Sequence, residues 1–151
     1  MSTQDDFFVE LTENRLQQSL ARINTTDSRA LGLLGLITVL MAGLWAVYLV
    51  PTLHHTASRT FEYDRVIVTL VILVISLFTA GYSLLLTVQY DSPDMAEFYR
   101  KYYSHKDAAY PAYFASASEA IGFNNVVAQR KSHLLLISTV SLFLGVLVII
   151  V

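Results

Sequence analysis

Residues 30–50 read ALGLLGLITVLMAGLWAVYLV, 21 positions without a charged side chain. A helix of about 20 residues, rising 1.5 Å at each, crosses the roughly 30 Å hydrocarbon core of a bilayer. Two further stretches have the same character: VIVTLVILVISLFTAGYSLLLTVQ at 66–89 and LLLISTVSLFLGVLVIIV at 134–151. Neither contains a charge. The reading is an all-α, integral membrane helical bundle with three transmembrane helices. Of 151 residues, 54% are hydrophobic, which leaves space for one membrane domain over 1–151 and none for a separate catalytic domain.

The polar segments divide around these spans. Residues 7–29 predict an amphipathic helix, with Val9, Leu16, Leu20 and Ile23 near one face and Glu13, Arg15, Gln18 and Arg22 largely elsewhere. Asn24 to Ser28 are residues that favour helix N-caps, so the helix either breaks there or runs on into the first span. Pro51 ends that span, with Trp45 and Tyr48 as interfacial anchors, and 52–65 form a loop. Residues 91–132 predict a cytoplasmic helical segment. Ser92, Pro93 and Asp94 open one helix, which runs to about Ser104, and Pro111 opens another that leads toward the third span.

Topology follows from the basic residues. Arg15, Arg22, Arg29, Arg100, Lys101, Lys106, Arg130 and Lys131 flank one side of the spans, and Arg59 and Arg65 the other. Eight against two predicts a cytoplasmic N-terminus and an external C-terminus. Net charge is −2, so no global positive field draws nucleic acid. With no cysteine, thiolate catalysis and zinc–thiolate sites are excluded. His54 and His55 are adjacent and His105 and His133 isolated, which argues against a metal site. No Walker loop, catalytic triad or acid pair is present, so the chain reads as a non-enzyme without a cofactor.

Two constellations carry possible function. On the second span Thr69, Ser76, Thr79, Ser83, Thr87 and Tyr90 fall within an arc of roughly 80° at 100° per residue. Such a hydroxyl stripe either lines a pore made by several copies or serves as a packing face, where small hydroxyl residues hydrogen-bond between helices. Both hold if it packs at rest and hydrates on opening. Gly35, Thr38, Ala42 and Ala46 on the first span, and Ser138, Ser141 and Gly145 on the third, present small faces that suit homo-oligomerisation. The second constellation is RKYYSHKDAAYPAYF, 100–114. Arg100, Lys101, His105 and Lys106 alternate with Tyr102, Tyr103, Tyr110, Tyr113 and Phe114. Cations pair with phosphate and aromatic faces stack bases, so Arg100, Lys101, Tyr103, His105, Lys106 and Tyr110 are candidate nucleotide ligands. The same composition suits a headgroup belt on an anionic lipid surface.

RLQQSLARINTTDSRALGLLGLITVL and ASEAIGFNNVVAQRKSHLLLIS resemble segments of the small bacterial membrane effectors of nucleotide-signalled anti-phage systems: Pycsar effector domains, the related SLATT domains and the Hailong defence effector of that broader group. The matching positions are Asp27, Arg29, Asn124 and Lys131, with arginine at Arg29 where lysine is commoner. The resemblance implies a dormant homo-oligomer, a tetramer being the working stoichiometry, in the bacterial inner membrane. A nucleotide second messenger from a partner nucleotidyltransferase or cyclase turns it into an ion-conducting state, and membrane depolarisation and growth arrest follow. No separate nucleotide-binding domain accompanies the spans, which favours the SLATT side. Residues 7–29 are placed to plug the cytoplasmic mouth. The rival classes are a non-conducting regulatory or assembly subunit and a holin-like lesion former. Reporter fusions at the two termini should report opposite compartments; two cytoplasmic readings would mean that one span does not cross.

Overall fold

A computed structural model describes residues 3–46, 60–86, 100–101 and 106–150 of the chain. Three helices stand out among them: α1 (Thr3–Leu44), α2 (Thr60–Leu85) and α3 (Lys106–Ile150). All three are long and apolar enough to cross a membrane, the mark of a multi-pass membrane chain. With 42 and 45 residues, α1 and α3 extend about 63 Å and 68 Å, twice the hydrocarbon thickness, so each carries more than a crossing.

α1 is unbroken where capping residues left a break open. Thr25 and Thr26 turn their hydroxyls back to the carbonyls of Ala21 and Arg22, both at 2.8 Å. A hydroxyl spent on its own helix caps nothing. Two other boundaries also moved. α2 starts at Thr60, inside the expected 52–65 loop. α3 starts at Lys106, so Pro111 lies in its second turn and does not open it. There the missing N–H forfeits one bond, to the carbonyl of residue 107, close enough to the helix start to be borne. The expected start at Ser92–Asp94 lies outside the described residues.

The described helices fall into two compact units: residues 1–26 with 87–130, and residues 27–86 with 131–151. Within the first, Ile23 packs against Val127 and Ala128, with Phe123 beside them. Leu16 and Ile23 are buried, Val9 and Leu20 partly so. Ser19 contacts Asn124 four residues before Ile23 meets the next turn of α3, so α1 and α3 run parallel here.

Within the second unit, Ile37, Leu73 and Leu142 form the apolar core, ringed by Leu33, Leu40, Met41, Leu44 and Leu77. Thr69 bonds to Gly145 and Ser76 to Ser138, so α2 runs antiparallel to α3. Buried positions on α2 are Val66, Thr69, Leu73, Ser76, Ala80 and Ser83, an alternating three- and four-residue step. That step is the signature of a helix held along one seam by its neighbours. Outside it lie Ile67, Val68, Val71, Ile75, Phe78 and Leu85, large and exposed. Hydrocarbon is as apolar as these side chains, so helix association in a bilayer depends on close packing and hydrogen bonds.

Gly145 permits the closest approach. A Cβ there would lie 3.5 Å from both Ile72 and Leu73 of α2, whereas one at Gly35 meets nothing within 4 Å. Gly145→Leu should therefore weaken the α2–α3 contact by about 1–3 kcal/mol, the usual cost of overpacking. Gly35→Leu should leave the single chain's stability unchanged. Unfolding of the two variants in detergent micelles measures the difference.

Candidate functional site: a buried polar seam

Three of the four positions singled out by the resemblance, Asp27, Asn124 and Lys131, take part in two contacts. In the membrane unit, the Lys131 ammonium donates to both carboxylate oxygens of Asp27, at 2.6 Å and 2.9 Å. Lys131 is sealed at 1% side-chain exposure and Asp27 is open at 29%. In the other unit, Asn124 donates from Nδ2 to the Ser19 hydroxyl at 3.3 Å, and that hydroxyl donates to the Leu16 carbonyl at 2.7 Å. Both Asn124 and Ser19 are buried. Arg29 is exposed.

Lys131 is the fully buried ionisable side chain among the described residues. Removing an ammonium from water costs several kcal/mol unless an opposite charge with good geometry replaces the solvent. Two short charge-assisted bonds meet that demand. The signal in the sequence is a heptad: Ala117, Asn124, Lys131, Ser138 and Gly145 are seven apart on α3, all buried, and none is a large apolar residue. In the sequence Lys131 counts among the basic residues flanking the spans and as a motif position beside Asp27, and nothing there marks the two as paired.

The hydroxyl stripe of α2 divides. Thr69, Ser76 and Ser83 are buried. Ser76 and Ser138 bond reciprocally, each hydroxyl reaching the other residue's carbonyl at 2.7 Å, with the two oxygens 2.9 Å apart. Thr69 donates to the Gly145 carbonyl at 3.3 Å. Ser83 is satisfied within α2 by the Ala80 carbonyl at 2.8 Å. Thr79 is half-buried and bonds back to Ile75 and Ser76 of its own helix. In the single chain, Thr69 and Ser76 thus join α2 to α3. Thr87 and Tyr90 lie outside the described residues.

Of the basic–aromatic residues, Arg100 and Lys101 are exposed and helical, and Tyr110 is half-buried on α3. Lys106 begins α3. Tyr103 and His105 lie outside the described residues. Tyr113 packs edge-on to Phe114, with ring centroids 5.9 Å apart. Burial pushes the Tyr113 phenol above its usual range, and the Glu13 carboxylate adds to this by repelling the phenolate and accepting the phenol's hydrogen bond. The phenol therefore remains a neutral donor through physiological pH. No cluster of histidine and acidic residues able to hold a metal occurs among the described residues.

No protein-family model, curated protein or solved structure matches this chain.

The unequal exposure of the ion pair sets its response to mutation. Asp27→Ala strands a sealed ammonium and should cost about 3–5 kcal/mol. Lys131→Met leaves a carboxylate that is already partly exposed, and should cost less. Asp27→Ala with Lys131→Met should recover part of the loss. Denaturation of the three variants in one detergent orders them.

Proposed function

We propose that the chain is a nucleotide-activated, homo-oligomeric membrane effector of a bacterial anti-phage system, which opens an ion path and depolarises the inner membrane. The supporting observation is the Asp27–Lys131 pair. The pair sits at the edges of the first and third spans, and a buried ion pair there is costly, its best-attested use being to fix a register or a switch. A plain anchor has no need of one. The pair also joins two positions on which the family resemblance rests.

Other parts of the reading have separate support. Oligomerisation is favoured by Gly32, Gly35 and Gly43 of α1, whose surroundings in the single chain are open. The exposed Arg100 and Lys101 supply positive charge for phosphate on the segment that the charge asymmetry predicts to be cytoplasmic. The hydroxyls of the α2–α3 contact fit a stripe that packs at rest and hydrates on opening.

Purified protein in liposomes holding a potassium diffusion potential tests the reading, with 3′,5′-cyclic mononucleotides and cyclic dinucleotides as probes. Depolarisation should follow one of these and not the others. Arg100→Ala with Lys101→Ala should abolish the response and leave oligomer size unchanged. A protein that is monomeric in detergent and silent to every probe is the non-conducting subunit. Depolarisation without any nucleotide is the holin-like lesion former.

A further inference from the structure

Contacts among the three helices fix one level of the membrane unit. Asp27 of α1 meets Lys131 of α3. Antiparallel α2 pairs Thr69 with Gly145 and Ser76 with Ser138. One heptad further in the same register brings Ser83 level with Lys131. Arg29, Tyr82 and His133 lie one or two residues from this level, each on the side of its uncharged stretch, within about 3 Å along the helix axes.

All three are exposed, Tyr82 at 57%. Arg29 and His133 each follow a member of the ion pair by two residues, roughly 200° around the helix, so they face away from the α1–α3 contact. None of the three has a side-chain hydrogen bond or ion pair among the described residues. Asp27, the acid at this level, is taken by Lys131. Arg29 is thus an uncompensated cation where the apolar surface begins. Further along the spans the large exposed residues include Leu36 and Val39 of α1, Ile75 and Phe78 of α2, and Ile137 and Val140 of α3. A guanidinium forks onto phosphate oxygens, a phenol and an imidazole add single donors, and tyrosine favours headgroup depth. Lys131 offers none of this, because its ammonium is sealed and already holds two carboxylate oxygens.

We propose that Arg29, Tyr82 and His133 form a headgroup girdle that binds anionic phospholipid through its phosphate, with Arg29 as the ionic contact and Lys131 taking no part. Zwitterionic lipid carries the same phosphate without net charge, so Arg29 gives the girdle its preference for the anionic headgroup. The girdle depends on the spans and on neither the nucleotide nor conduction.

The full chain in phosphatidylcholine bilayers, with a trace of spin-labelled phosphatidylglycerol or spin-labelled phosphatidylcholine, tests this. The share of each label immobilised by the protein gives its preference for the anionic lipid, which wild type should show. Arg29→Gln should lower that preference about twofold or more, since one basic residue near an anionic surface is worth about a fivefold change at its own contact. Arg29→Lys keeps the charge, should retain most of the preference, and separates a lost contact from misfolding. His133→Gln with Tyr82→Phe should lower it by less than Arg29→Gln. Arg15→Gln removes the same charge about 21 Å back along α1, beyond the roughly 10 Å screening length, and should leave it unchanged. So should Asp27→Asn with Lys131→Met, which removes the sealed ammonium at no change in net charge. Equal immobilisation of the two lipids by wild type overturns the proposal. So does inserted Arg29→Gln that falls no further than Arg15→Gln, or a loss in Asp27→Asn with Lys131→Met as large as that in Arg29→Gln. Release of the phosphatidylglycerol label by added inorganic phosphate also overturns it, making Arg29 a site for soluble phosphate.

Discussion

A polar atom inside an apolar bundle must find its partner within the bundle. That constraint fixes the register of the helices here. Lys131 accepts a place away from solvent because Asp27 meets it with both oxygens. Sliding α1 by one turn would move that carboxylate about 5.4 Å and strand the ammonium. Apolar packing alone is tolerant, since a leucine seam shifted by a turn meets other leucines. The same logic applies between α2 and α3, where Ser76 and Ser138 satisfy each other at one register.

These polar contacts are weaker guarantees of stability than of uniqueness. A buried ion pair often contributes little net free energy against an apolar replacement, and its best-attested use is to specify a register or a switch. In this chain the contacts are graded: ionic between α1 and α3, neutral between α2 and α3.

The three apolar stretches were legible because a bilayer demands some 20 uncharged residues in succession and nothing local disguises them. The helix limits were less so. Asn24 to Ser28 read as caps, yet Thr25 and Thr26 fold their hydroxyls onto α1 itself and Asp27 is claimed by α3. A capping residue has several competing partners, and the choice is made by a neighbour more than a hundred positions away in the sequence. The hydroxyl stripe of α2 was visible as a face, but its partner was not: Ser138 and Gly145 were assigned to a packing surface of the third span without a register to α2. Lys131 was counted with the basic residues that flank the spans, and only the heptad from Ala117 to Gly145 hints that it points inward. The nucleotide-ligand candidates rest on residue type alone.

The most direct test of this account uses the absence of cysteine from the chain. Ser76→Cys with Ser138→Cys, introduced together and treated with a mild oxidant in native membranes, should form an intramolecular disulfide rapidly, whereas Phe78→Cys with Ser138→Cys should not. A monomer that runs compact without reductant is the predicted result. Failure to bridge, or bridging only between chains, would contradict a single-chain seam of paired hydroxyls.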